Sequence, residues 1–309
     1  MHPKVSVIVC THNPRRDYLC RVLEALNAQT LDLAKWELLL IDNASSQQLA
    51  SEVDLTWHLN ARHVREDQLG LTYARLRGIK EAAADLLIFV DDDNALDIDY
   101  LKVALEIAHE WPKIGVWGGQ VLPEFEETPP DWTKPYWGSL AIRELDRDKW
   151  TNLPNNHEAL PCGAGFCVRR VVAQQYAELL YTQPDRLKMG RRGQLLTSGE
   201  DTDIALTACD MGLGMGQFKA LKLLHLLPAH RLKEDYLLKL KEGMSYSGVM
   251  LGYRRGEKHQ LTMKDRVLRH IRRQLMDQRT RRFEAAAYRG FIKAFNEISK
   301  YPKSEKIAS

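Results

Sequence analysis

Short unbroken apolar runs alternate along the chain with stretches whose apolar positions recur every three or four residues. Residues 4–10 read as one strand and residues 36–41 as a second. Between them Leu19, Val22, Leu23 and Leu26 keep helical spacing, with Asn13 placed to cap that helix and Pro14 to open it. A further helix is predicted over 71–84. The run Leu86, Leu87, Ile88, Phe89 and Val90 follows it as a strand buried on both faces. Strands over 116–121 and 217–225 and a helix over 204–211 continue the pattern. Alternation of this kind predicts an α/β fold, a mostly parallel open sheet flanked by helices.

Three of these strands end in polar residues: Thr11, His12 and Asn13; Asp42 and Asn43; and Asp91, Asp92 and Asp93. Open α/β sheets bind ligands at the carboxyl ends of their strands. Three adjacent carboxylates repel one another and resist desolvation, and a divalent cation is the usual reason for such a run. Mg²⁺ or Mn²⁺ is typically held by one or two carboxylates, with water and substrate phosphates completing the shell. In extended backbone Asp91 and Asp93 point one way and Asp92 the other. The plainer account is a solvated acidic turn before a helix that begins near Asp97.

Four segments in order carry a resemblance: Val7-Ile8-Val9-Cys10-Thr11-His12-Asn13, Leu39-Leu40-Ile41-Asp42-Asn43, Gly70 to Gly78 with Arg75, and Phe89-Val90-Asp91-Asp92-Asp93. Over roughly residues 4–232 the chain resembles glycosyltransferase family 2, apart from Leu76, where that family more often has Asn. The resemblance implies a GT-A (Rossmann-like) fold. It implies that Thr11, His12 and Asp42 contact base and ribose, with Asn13 and Asp92 in the same nucleotide-sugar set. It further implies that Arg75 lies near the nucleotide and that Asp91 and Asp93 serve ribose and metal.

The second half supplies the rest of the expected site. Pro129, Pro130 and Pro135 exclude a regular element over 124–137. Trp132, Tyr136 and Trp137 either pack that loop down or stack on an acceptor sugar. The resemblance turns the region toward the acceptor and so favours Trp132 and Trp137. It also places Gly163 and Gly165 near the donor sugar. Ser198 to Asp203 opens a helix, where Ser198 suits a cap and acids suit the dipole. By resemblance Asp201 is the general base that accepts the acceptor hydroxyl's proton, and Glu200 positions the acceptor or Asp201. By resemblance a histidine after this strand completes the metal site with Asp93, imidazole being a borderline ligand for Mn²⁺, and His225 at the strand end fits that place better than His230. His230 is close by in sequence.

Composition adds limits. With 309 residues, 44% hydrophobic and 28% charged, the chain is ordinary for a soluble globular protein. No apolar stretch approaches the roughly 20 residues of a membrane span, and the first residues run straight into a strand, so no signal peptide is expected. Five cysteines without zinc spacing point to reduced thiols and the cytoplasm. From Arg254 onward 16 Lys or Arg stand against 6 Asp or Glu, while the rest of the chain carries 28 against 35. This shift marks an expected boundary between a catalytic domain, 1–253, and a basic helical extension, 254–309. In the extension Val267, Ile271 and Leu275 recur among Arg266, Arg269, Arg272 and Arg273, with Phe283, Tyr288, Phe291, Ile292 and Phe295 beyond. Such helices either pack on the catalytic domain or make peripheral contact with an anionic membrane surface. Nothing else in the chain favours nucleic acid.

Thr11 to Arg16 contains no glycine, which argues against a nucleotidyltransferase phosphate loop, and the dinucleotide fingerprint is absent. Asp91, Asp93 and Asp201 together argue against an inactive nucleotide-sugar-binding scaffold. The expected function is Mn²⁺- or Mg²⁺-dependent, inverting transfer from a UDP-sugar to a saccharide or lipid-linked acceptor in polysaccharide biosynthesis. The expected place is the cytoplasm, either free or peripheral at the inner face of the cytoplasmic membrane.

Overall fold

In the computed structural model, β1 (Val5–Thr11) and β2 (Trp36–Asn43) are buried at every residue, as strands covered by helices on both faces must be. The structure describes residues 2–191, 196–257 and 275–300. The chain divides into two compact units, Met1–Gly193 with Glu200–Ala229, and Gln194–Gly199 with His230–Ser309.

In the first unit β1 is flanked in parallel by β2 and β4 (Leu86–Asp91), and β3 (Ala61–Glu66) lies parallel beyond β2. The sheet continues from β4 through β8 (Phe166–Arg169), β6 (Ile114–Phe125) and β9 (Gly214–Leu227) to β5 (Asn94–Leu96), while β7 (Lys149–Thr151) pairs with β9. The long ladders are parallel, including β6 with β9, and the short ones at β8, β5 and β7 are antiparallel. The predicted α/β architecture is therefore present.

Two apolar layers sandwich the sheet. Val5, Val7 and Val9 face Leu19, Val22 and Leu26 of α1 (Arg16–Asn27) and Leu101 and Ala104 of α3 (Tyr100–Glu110). On the other face Ile8, Leu39 and Phe89 meet α2 (Leu71–Glu81), α4 (Arg170–Thr182) and α5 (Glu200–Asp210). Burying each such aliphatic side chain contributes about 1.5–3 kcal/mol. Gly78 lets α2 lie directly on β1, because a Cβ there would come within 2.4 Å of the Ile8 side chain.

Several expectations give way to tertiary hydrogen bonds. Asn13 does not cap α1, which begins after Arg15. Asn13 instead adopts φ +48° and accepts from the Ser46 backbone N–H and hydroxyl, each at 2.9 Å. The helix predicted over 71–84 stops at Glu81, because Ala83 N–H donates to Glu37 and Ala84 N–H to Ser6. Strand β3, with Val64 as its one buried residue, has no apolar alternation to announce it. The proline-rich segment is not wholly irregular: Asp131–Leu140 winds as 3₁₀ turns around Pro135. Pro130 precedes the first turn, and its carbonyl accepts the Thr133 hydroxyl. Helix α5 begins at Glu200, so the acids occupy its first turn and Ser198 lies one residue before the flanking Gly199. No disulfide joins any of the cysteines.

The second unit is built on two helices packed in parallel, α6 (Glu234–Arg254) and α7 (Gln278–Ile298), with Glu234 beside Arg282 near their starts and Tyr246 beside Glu297 further on. A Cβ on Gly290 would lie 2.1 Å from the Glu242 carbonyl oxygen, so only glycine allows this approach. Val249, Met250 and Ala294 form the contact, and Arg289 and Lys293 pair with Glu242. The charge shift near Arg254 coincides with the end of α6, which packs along α7 within this unit. Arg266, Val267, Arg269, Ile271, Arg272 and Arg273 lie outside the described residues. Among the described residues no helix is long and apolar enough to cross a membrane.

Candidate active site

Register brings the polar strand ends level: Thr11 lies opposite Asp42, and Cys10 opposite Asp91. The crevice between β1 and β4 is the switch point of the parallel strands, where open α/β sheets place their ligands.

On the β2 side, Asp42 is held by its own loop. It accepts from Ser45 N–H and Leu49 N–H, each at 3.1 Å, and from Arg65 at 2.8 Å. Burial works against its charge, but the hydrogen bonds from Ser45, Leu49 and Arg65 outweigh it and hold the carboxyl below the usual range. Asn43 ties in the start of α2, accepting from Gly70 N–H at 2.8 Å and donating to the Gln68 carbonyl at 2.7 Å. His12 is exposed, its Nδ1 2.7 Å from the Asn43 carbonyl oxygen.

On the β4 side, the alternation expected of extended backbone ends at Asp91, since Asp92 and Asp93 form a turn before β5. The turn sends the three carboxylates to different partners. Asp92 accepts from the Thr11 hydroxyl. Asp93 accepts from Asn94 Nδ2 at 3.0 Å. Asn94 is in register with His225, which sets His225 Nε2 3.6 Å from Asp93 Oδ2. Asp91 lies 3.9 Å from Arg75. Burial pushes its carboxyl above the ordinary range, against the opposing pull of Arg75.

The first turn of α5 closes the other side. Glu200 is buried, accepts from the Thr72 hydroxyl at 2.8 Å, and lies 3.5 Å from Arg75. Burial raises its carboxyl above the usual range despite Arg75. Asp203 is buried and pairs with Arg186 at 2.6 Å. Asp201 is only partly buried and accepts from Gly163 N–H at 2.9 Å.

The structure thus brings together Thr11 with Asp92, Asp93 with His225, and Arg75 with Asp91 and Glu200. Trp137 packs on Phe125 with ring centroids 5.1 Å apart, and its indole N–H donates to Thr133; Trp132 meets Tyr136 at 6.3 Å. His230, in the second unit, packs edge-on against Tyr236. Arg65, Thr72 and Arg186 went unnoticed in the sequence. Arg65 sits on the strand without alternation, and Thr72 is 128 residues from its partner Glu200.

A carboxylate and an imidazole this close offer one oxygen and one nitrogen donor to a divalent cation. Among the described residues no group of three or more His, Cys, Asp or Glu is arranged to hold a metal. Two protein ligands match a cation whose other positions are taken by substrate phosphates and water.

A sequence model described as Glycosyl transferase family 2 matches residues 6–176, more than half of the chain. The chain belongs to this family. Among its relatives is a glucosyl-dolichyl phosphate glucuronosyltransferase of Haloferax volcanii, 24% identical over 131 residues, 41% of each chain. The chain thus spans about two fifths of that relative's length. Glycosyltransferase AglE of the same organism is 24% identical over 208 residues, 66% of this chain and 64% of that one. Among solved structures, residues 1–349 of S. aureus TarS in complex with UDP-GlcNAc superpose with TM-score 0.52 at 17% identity, over 79% of this chain and 66% of that one. The same TarS fragment with UDP gives 0.51 at 15% identity over 98% and 73%. At these identities the likeness is one of fold, and it agrees with the sheet described above.

Proposed function

We propose that this family 2 enzyme transfers a sugar from a UDP-sugar to a hydroxyl of a saccharide or lipid-linked acceptor, with inversion at the anomeric carbon and with Asp201 as general base. One observation carries the reading. Of the three acids in the first turn of α5, Glu200 and Asp203 are buried against Arg75 and Arg186, while Asp201 stays partly open and is steadied by a backbone N–H. A base must reach substrate and keep an orientation, and Asp201 meets both needs. TarS binding UDP-GlcNAc in the same fold supports a uridine donor.

Asp93 and His225 would hold Mn²⁺ or Mg²⁺, which when bound offsets the charge that grows on the departing diphosphate. Thr11, His12, Asn13 and Asp42 line the nucleotide side, with Asp91 and Asp92 toward the ribose and Arg75 behind Asp91. Asp201 takes the proton of the attacking hydroxyl as the glycosidic bond to the diphosphate breaks, and a single in-line displacement inverts the centre. Trp132 and Trp137 serve the acceptor. A lipid-linked acceptor would hold the enzyme at the inner face of the cytoplasmic membrane, which the basic surplus beyond Arg254 suits. Salt-sensitive sedimentation of the full chain with anionic liposomes tests that placement, and indifference to anionic lipid removes it.

The donor is tested by thermal shift with a panel of nucleotide sugars, with and without Mn²⁺, since a ligand of the native state raises the melting temperature. A uridine donor is expected to give the largest Mn²⁺-dependent rise. Asp201→Asn is then expected to lower transfer about 10²-fold, the low end for general base catalysis, with donor affinity unchanged. Transfer at the wild-type rate would move the base elsewhere.

A further inference from the structure

Glu200 was expected beside the acceptor, and the structure gives it different company. Its carboxylate is 3% exposed, with Oε2 accepting from the Thr72 hydroxyl at 2.8 Å and Oε1 3.5 Å from Arg75 Nη1. The opposite corner of the guanidinium, Nη2, stands 3.9 Å from Asp91 Oδ1. A Cβ on Gly163 would come within 3.1 Å of that same Nη2 and 3.4 Å of Asp201. One buried cation is therefore ion-paired from behind with Glu200, whose Oε1 makes no hydrogen bond, and presents its front to Asp91 and to the loop that holds Asp201.

Two details make the grip firm. Behind it the backbone at Gly190 passes so close that a Cβ there would lie 2.0 Å from Thr72 Oγ1 and 2.7 Å from Glu200 Oε2. Neither side chain has room to swing that way. The Phe89 ring lies 5.5 Å from the guanidinium carbon and supports the cation on β4. At 3.9 Å Asp91 feels the charge of Arg75 but is beyond hydrogen-bond reach.

We propose that Glu200 is a positioning residue: held by Thr72, it retains Arg75 and so keeps Asp91 available to the donor nucleotide. The proposal rests on the assignment of Asp91 to the donor side. A cation between two carboxylates settles where charge and geometry hold it best. If Glu200 loses its charge, Arg75 closes on Asp91 in a direct ion pair that the nucleotide must break. The effect on donor affinity is then about ten-fold, the scale of one charge-assisted hydrogen bond.

The test is calorimetric titration of the full chain with UDP and Mn²⁺ in a double-mutant cycle of Glu200→Gln and Asp91→Asn, with melting temperature as the check on folding. Gln keeps the length of the side chain and its bond to Thr72. Glu200→Gln is expected to weaken UDP–Mn²⁺ binding about ten-fold in the wild-type background and to cost nothing further in Asp91→Asn, where the Asp91 carboxylate is no longer there for Arg75 to capture. A purely structural role would give additive losses. Additive losses, or unchanged affinity in Glu200→Gln, overturn the proposal while leaving the donor reading intact. Failure of the wild-type chain to bind UDP–Mn²⁺ overturns the donor reading and this proposal with it. Should Glu200→Gln not fold, Thr72→Val, which loosens Glu200 without removing its charge, enters the same cycle with a smaller loss expected and the same criterion of non-additivity.

Discussion

Asp42 and Glu200 are both buried carboxylates at the rim of one sheet, and they are held in opposite ways. Asp42 receives three hydrogen bonds, two from its own loop and one from Arg65, and its carboxyl is held below the usual range. Glu200 receives one hydroxyl and shares a single guanidinium with Asp91, and burial drives its carboxyl up. The β2 side is electrostatically finished. On the side formed by β4 and α5, Glu200 and Asp91 share Arg75 with Asp201 beside it, and Asp93 lies next to His225. The first carboxyl is satisfied by fixed donors around it, and the second shares one cation with a neighbouring carboxylate.

The comparison is most easily broken at Asp93. Asp93→Ala is expected to abolish Mn²⁺-dependent UDP binding while leaving the melting temperature of the ligand-free protein unchanged or raised, because crowded carboxylates repel. His225→Ala should weaken the metal effect less, since water can fill one lost position. Retained Mn²⁺ dependence in Asp93→Ala would remove the cluster's distinction from the β2 side.

A smaller effect, on stability, is expected at Asp42. Asp42→Ala leaves the buried Ser45 and Leu49 N–H groups without their acceptor and is predicted to cost about 3 kcal/mol in urea unfolding. Glu200→Gln, which keeps the Thr72 bond and removes a desolvated charge, is predicted to cost less than about 1 kcal/mol. Equal costs would erase the contrast.

The smallest signal is in pH, and its sign differs between the two groups. The depressed carboxyl of Asp42 stabilises the fold above about pH 4, and that contribution is lost as pH falls through its native value. The raised carboxyl of Glu200 favours the protonated native state, so stability declines as pH rises above about 4.3 toward its native value. Melting temperatures across this range should show Asp42→Asn flattening the acid limb and Glu200→Gln flattening the decline on the other side. The reverse assignment would contradict the geometry.

Much of this was legible in the amino acids. β1, β2 and β4 are unbroken apolar runs because both their faces are covered, and the polar residues that follow each run mark the rim where ligands bind. Asp91 to Asp93 announced a charged site because such crowding has few other uses. Strand β3 was not legible, since an edge strand with one buried residue has no period to read. Asn13 looked like a helix cap because its neighbours in sequence are helical, while its partner is Ser46 on another loop.

The sequence by itself determined the class of fold, the strands that form its centre and the residue types at its rim, because burial and periodicity are local in the chain. Only the tertiary structure decided which partners each acid meets. Glu200, Asp201 and Asp203 sit within four consecutive positions and are alike in sequence. Their separate surroundings come from Thr72, Arg75, Gly163 and Arg186 on other elements. Charge, unlike periodicity, is settled by whatever lies within a few ångströms, and folding alone brings those partners into range.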